Sequence, residues 1–420
     1  MKRFFYGILS AAVTIVTVSG EEFTEQRIFS PDVKTLKVEV DGDFMSPSVI
    51  TLGSGQQICV SFDELTPGRD YMRYSLTHCN ADWQPSDLIE SEYLPSFNEA
   101  EVTDYGFSTG VFRNYENYRI CLPNQDMQPL VSGNYLLKVW REDEEDSPLL
   151  QARFSVSEQA VNISGTASSL TDRGNNDKWQ QLSFSIDPGR YRINDPYNEL
   201  IIKIEQNGID VTPTTGLRPL RVEGNKLVYE HNQNLIFPAG NEFRRFETVR
   251  TDYQGMHIAS NKYEGDGYTA TLTEDTERAS RPYTYDRTQF GRFKIDEYSA
   301  SDPNLGADYV ETVFTLDFPQ VTNGDIILDG EFVRSLPIEE RKLNYDPSTG
   351  KYSKTMLLKQ GSYNYRYAAI SKSKDAAPVP ALIEGDKYET RNEFTVKVYH
   401  RAPGSRYDRL LDTATIITSD

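Results

Sequence analysis

The fold is decided by Tyr309-Val310-Glu311-Thr312-Val313-Phe314-Thr315-Leu316-Asp317-Phe318. Val310, Thr312, Phe314, Leu316 and Phe318 occupy every second position, and Tyr309, Glu311, Val313, Thr315 and Asp317 alternate with them. A helix would mix the two sets around its axis, whereas a strand sends successive side chains to opposite faces and keeps them apart. The same alternation recurs outward in both directions. Leu36, Val38 and Val40 carry it near the start, Leu182, Phe184 and Ile186 in the middle, and Phe394 to Tyr399 near the end. Asp41-Gly42, Asn207-Gly208, Asp266-Gly267, Asn323-Gly324 and Asp329-Gly330 separate the runs with the residues that tight hairpin turns require. Together with 26 Tyr and 20 Phe, this pattern predicts an all-β chain of tandem immunoglobulin-like or early-set β-sandwich domains.

Ahead of the first strand, Lys2 and Arg3 precede an apolar run from Phe4 to Val18 that ends in Ser19 and Gly20. This is the layout of a secretory signal peptide over residues 1–20, with no Cys at its end to accept a lipid, so a cleaved and unanchored product is expected. Composition shifts divide the remainder into an N-terminal sandwich over 21–158, a middle β-rich block over 159–300 and a C-terminal early-set sandwich over 301–420. A formal net charge of -19 argues against nucleic acid as a partner and against direct insertion into an anionic membrane. Cys59 and Cys121 both sit in apolar strand contexts, and with Cys79 they make an odd count. Three buried free thiols are the favoured reading, and one disulfide with a leftover thiol is the alternative.

Chemistry-bearing residues gather in Tyr74 to Tyr93, where a strand ends in Thr77-His78-Cys79-Asn80-Ala81-Asp82-Trp83. His78 and Cys79 are neighbours on a strand and point to opposite faces, so they make a poor catalytic pair. His78, Asn80, Asp82 and Trp83 are read instead as a structural corner or docking surface, with Trp83 expected to be largely buried against the first sheet. Arg244 and Arg245 are candidates for gripping carboxylates, within the protein or on a partner. Arg401, Arg406 and Tyr407, with Arg409 and Asp408 beside them, form a second basic spot for which internal ion pairs are preferred over contact with a partner.

No nucleophile elbow, phosphate loop, dinucleotide fingerprint or zinc-type His spacing occurs, and His78, His231, His257 and His400 are scattered. No catalytic residue, metal site or cofactor is therefore expected. The acidic tip Glu142 to Asp146 and the loop Asp172 to Asp177 lack the spacing of a calcium loop and read as solvated turns. Tyr363, Tyr365 and Tyr367 share one strand face. They are read as core, with a glycan platform as the weaker alternative.

Five segments in order resemble the plug protein family of the bacterial type IX secretion system. They are Thr77-His78-Cys79-Asn80-Ala81-Asp82-Trp83, Phe237 to Phe246, Ala307-Asp308-Tyr309-Val310, Lys359 to Tyr365, and His400 to Leu410. The resemblance implies a non-enzymatic periplasmic protein whose partner is the outer-membrane translocon barrel, closed by it at the periplasmic mouth. It implies no residue-level assignment of the contact.

Overall fold

The computed structural model describes residues 25–65, 71–373 and 377–418. The expected leader at 1–20 lies outside the described residues. Nearly all regular structure is strand, and the helices are single turns of four residues at most.

In the first sandwich one sheet runs in the order Val33–Val40, Ile58–Glu64, Glu116–Leu122, Asp104–Phe107. The facing sheet runs Arg27–Ile28, Leu150–Ser157, Gly133–Arg141, Met72–Cys79, Ala100–Glu101. The alternation read from sequence supplies the interior: Val38, Val60, Phe62, Tyr118 and Ile120 from one sheet meet Leu76, Leu137, Val139 and Phe154 from the other. Full burial of such side chains is worth roughly 1.5–3 kcal/mol each.

Cys59 and Cys121 stand directly opposite each other on paired strands, with Cα atoms 4.1 Å apart, and are joined by a disulfide. Only Cys79 is a free thiol among the described residues. The preference for three free thiols is thus corrected. Both cysteines looked like ordinary apolar strand residues because local sequence does not say which strand pairs with which.

In the second sandwich Asn162–Ser168, Trp179–Asp187, Lys226–Tyr229 and Arg221–Glu223 form one sheet. The other is Ile209–Asp210, Leu200–Gln206, Glu393–His400 and Arg409–Ile417. In the third, Arg244–Glu247, Gly361–Ser371 and Phe293–Ile295 pair in that order, and Gly324–Asp329 also pairs with Gly361–Ser371. Across from them lie Ile258–Tyr263, Tyr268–Leu272, Tyr309–Asp317, Lys351–Lys359 and Asn344–Asp346. The opening stretch, Tyr309–Asp317, is central there, antiparallel to Lys351–Lys359 and parallel to Tyr268–Leu272.

The strands therefore do not follow the consecutive blocks 159–300 and 301–420. Leu200–Gln206 pairs residue by residue with Glu393–His400, from Leu200 against His400 to Gln206 against Phe394. Arg244–Glu247 belongs with Gly361–Ser371. The second core takes Val161 to Phe237 and Phe394 to Ile416, while the third takes Phe246 to Ile383. The chain leaves the second sandwich after Ile236–Pro238, builds the third, and returns. Exit and re-entry touch, with the Lys387 amide donating to the Gly240 carbonyl at 2.7 Å.

Candidate functional site

His78 ends its strand inside an aromatic cage. The rings of Tyr135 and Tyr407 meet it edge-on at 5.1 and 5.3 Å. Its Nε2 lies 3.1 Å from the Ser132 carbonyl oxygen and its Nδ1 2.7 Å from Ser86 Oγ. A carbonyl only accepts, so Nε2 carries the proton and the Ser86 hydroxyl donates to Nδ1. Gly133 makes room: its φ is +138°, and a Cβ there would stand 2.4 Å from Nε2. Burial pushes the imidazole below its ordinary value, against the smaller opposing pull of the Ser132 carbonyl and Asp408. It is a neutral, fully hydrogen-bonded structural group. Burial likewise pushes the Cys79 thiol up to about 12, which removes it as a nucleophile.

The corner after His78 docks on the last turn of the chain. The Ala81 amide donates to Asp408 Oδ2 at 3.0 Å, and the Asp408 amide donates to Asn80 Oδ1 at 3.2 Å. Asn134 Nδ2 donates to the Asn80 carbonyl at 2.8 Å, while its Oδ1 accepts from the Tyr399 hydroxyl at 2.7 Å. Arg401 reaches Asp408 at 3.3 Å, Arg406 pairs with Glu92 and donates to the Asp87 carbonyl, and Arg409 grips Glu158 with two nitrogens at 2.9 and 2.7 Å. Tyr407 contributes its ring to the His78 cage. Sequence reasoning singled out both ends of this junction, and the structure brings them together, with Glu92 and Glu158 as partners rather than the adjacent Asp408 for Arg406 and Arg409.

Asp82 is exposed and caps its own turn by accepting from the Gln84 amide at 3.0 Å. Trp83 is not largely buried. Its backbone is left-handed, with φ +67°, and its half-buried ring lies under the Arg153 guanidinium at 4.5 Å. The expectation fails because the turn, closed by the Trp83 amide on the Asn80 carbonyl, lays the ring on Arg153, which alternates with the core residues Ala152 and Phe154 and so faces away from the core.

Arg244 and Arg245 diverge, as neighbours on a strand must. Arg244 is buried, with Asp275 at 2.6 Å, Glu384 at 3.1 Å and the Tyr367 ring beneath it. Burial alone would push its pKa down, but the two carboxylates outweigh that and hold it above the usual range. Arg245 faces outward to Asp286, at 3.1 Å. Tyr365 and Tyr367 both donate to Asp275 Oδ2, at 2.7 and 2.8 Å, and Tyr363 is buried beside them. The three tyrosines are core, so no glycan platform exists on that face.

A second junction, between the first and third sandwiches, was touched in sequence only through the family-like segments at Ala307 to Val310 and Lys359 to Tyr365. Asp63 of the first sandwich is fully buried and accepts from Lys359 Nζ at 2.7 Å and from the Tyr309 hydroxyl at 2.6 Å. Lys359, 1% exposed, also lies 4.0 Å from the centre of the Tyr115 ring. The Tyr115 hydroxyl donates to the Ala307 carbonyl, and Asp308 accepts from the amides of Phe112 and Arg113. The one local signal was the pair of carboxylates Asp63 and Glu64 closing a strand whose other residues are mostly apolar.

All five family-like segments thus lie at these junctions or at the passage between the second and third sandwiches. Among the described residues no cluster of three His, Cys, Asp or Glu side chains is placed to hold a metal. A cleft of about 210 Å³ between the first and third sandwiches, lined by Ile28, Phe293, Phe332, Met356 and Leu358 among others, is mainly apolar and small for a substrate pocket. Among the described residues no helix is long and apolar enough to cross a membrane.

Comparison with known proteins agrees with this picture. The family described as "Type 9 secretion system plug protein 1st domain" matches residues 33–158, the first sandwich. The crystal structure of a hypothetical protein from Parabacteroides merdae is 38% identical over 94% of this chain and 99% of its own, with a TM-score of 0.89. An alkylpurine DNA glycosylase of Pseudomonas fluorescens bound to DNA containing an abasic site analog, 15% identical over 30% of each chain, superposes with a TM-score of only 0.18. No curated protein matches the chain.

Proposed function

This chain belongs to the type 9 secretion system plug protein family, and on that premise we propose that it binds the outer-membrane translocon barrel and closes its periplasmic opening. The family role is in secretion and is non-enzymatic in general. The observation that supports the finer reading is that the three sandwiches are fastened pairwise by buried polar and ionic contacts. Asp63 with Lys359 and Tyr309 joins the first to the third, and Asn80 with Asp408 joins the first to the second. Arg292 with Glu393 at 2.6 Å joins the third to the second.

A stopper for a wide mouth has to resist deformation, and buried polar networks whose members are satisfied favour one arrangement. The signal-like run Phe4 to Val18 supports export, and the net charge of -19 suits a periplasmic life. The test is affinity capture from detergent-solubilised outer membranes of a secreting strain. Recovery of the barrel protein, together with raised outer-membrane permeability to large solutes when the chain is deleted, is expected. Capture without the barrel and unaltered permeability would reject the reading. A glycan-binding role finds no support in the buried Tyr363, Tyr365 and Tyr367.

A further inference from the structure

Where the third sandwich meets the Asn207-Gly208 turn of the second, three arginines converge on one carboxylate. Arg334 Nε lies 3.0 Å from Asp329 Oδ1, Arg366 Nε 2.8 Å from Oδ2, and Arg341 Nη2 3.4 Å from Oδ1. Asp329 is the one carboxylate paired with them among the described residues, so three positive charges against one negative leave a local excess of two. In a chain of net charge -19 this is a reversal of sign. Burial pushes the Arg341 guanidinium down, Asp329 only partly restores it, and Arg334 and Arg366 depress it further.

The side chains are held in place. Arg366 lies 4.9 Å from the centre of the Phe243 ring, Arg341 Nε donates to the Leu328 carbonyl at 3.0 Å, and Arg334 Nη1 donates to the Asn207 carbonyl at 3.0 Å. Donors remain over. Among the described residues, both Nη atoms of Arg366 and Nη1 of Arg341 have no protein acceptor, and none is sealed from solvent. The walls are two glycine turns: a Cβ on Gly208 would be 3.5 Å from Arg334 Nη1, and one on Gly291 would be 3.4 Å from Arg334 Nη2.

We propose that this cluster is an oxyanion-binding site, taking a carboxylate or phosphate group on the free guanidinium N–H groups of Arg366 and Arg341. Planar guanidinium forks match such groups with two parallel hydrogen bonds. The source is either a small anion or an acidic side chain of a polypeptide, and both present the same chemistry. The site goes beyond the plugging reading and stands or falls independently of barrel binding.

Isothermal titration of the full chain with inorganic phosphate, at ionic strength held constant with sodium chloride, tests it. Saturable binding is expected, weakened about tenfold in Arg366→Gln, the loss of roughly one charge-assisted pair. Should Arg366→Gln fail to fold, Asp329→Asn serves: it removes the internal anion, so phosphate should raise its melting temperature more than equivalent chloride does. An acetylated triglutamate peptide, titrated in parallel, tells a side-chain carboxylate from a free phosphate. Binding of either ligand, weakened about tenfold or more in Arg366→Gln, supports the site. Binding of neither to the unsubstituted protein, equal affinity in Arg366→Gln, or an Asp329→Asn variant that phosphate stabilises no more than chloride does, overturns it.

Discussion

At the scale of single residues, the buried groups of the junctions make predictions of two kinds, one in pH dependence and one in coupling. His78 has a folded-state pKa below its unfolded value of 6.5, so the unfolded chain takes up the proton first as pH falls. Its contribution to stability is complete above about pH 6.5 and declines as pH drops through that value. His78→Gln should lower the melting temperature at pH 8 yet flatten its dependence on pH between 8 and 5. An unaltered slope in that variant would assign the pH response elsewhere. The pair of Asp63 and Lys359 behaves differently. Removing one partner leaves a buried, unpaired charge, so Asp63→Asn or Lys359→Met alone should cost about 3–5 kcal/mol in chemical denaturation. The double replacement should cost clearly less than the sum of the two, and strict additivity would show that the charges are not coupled. Sequence made His78 visible because a histidine at a strand end beside Trp and Asp is conspicuous. It named Lys359 only as the start of a family-like segment and gave it no role, because a lysine at the end of an alternating strand is ordinary until another sandwich covers it.

At the scale of elements, the corner at Asn80 to Trp83 and the turn at His400 to Arg409 are two halves of one device. Each half was legible alone, since both break an alternating pattern with polar and turn-forming residues. That they meet was not legible, because 327 positions separate Ala81 from Asp408 and nothing local encodes so distant a partner. The two halves should respond unequally to substitution. Asp408 is buried and accepts from the Ala81 amide, so Asp408→Ala leaves a buried donor without an acceptor and should cost about 1–3 kcal/mol. Arg406 has half its side chain in solvent, and Arg406→Ala should cost at most about 1 kcal/mol. Measuring both by urea denaturation checks the order, and a larger loss for Arg406 would contradict the geometry. Trp83→Ala removes a half-buried ring and its stack on Arg153, and about 1–2 kcal/mol is expected rather than a core-sized loss.

At the scale of the whole molecule, alternation and turn residues made the sandwich architecture legible, while the order of domains along the chain was not, since periodicity describes a strand's faces and not its neighbours. We propose that the middle sandwich is built from residues 159–240 and 387–418 and that residues 241–386 are an insertion within it. The second core draws on Val161 to Phe237 and Phe394 to Ile416, and the third on Phe246 to Ile383, with no residue in common. The insertion begins and ends at one point, where the Lys387 amide donates to the Gly240 carbonyl at 2.7 Å and the Gly240 amide donates to Asp386 Oδ1 at 2.9 Å. A chain in which Gly240 is joined directly to Lys387 should therefore fold, because loop closure there asks for almost no rearrangement and every strand of the second sandwich is retained. Its melting temperature should be lower than that of the full chain, since Glu393 loses Arg292 and Asp63 loses Lys359, but unfolding should stay cooperative. Truncation after residue 300 is the contrasting case. It deletes Glu393–His400 from the middle of its sheet and leaves Leu200–Gln206 paired only at Glu205 and Gln206, with Ile209–Asp210, so the second sandwich should not form. Circular dichroism melts of the two proteins decide between an inserted and a consecutive arrangement: a folded truncation beside an unfolded excision would mean that the sandwiches are independent in the order of the chain after all.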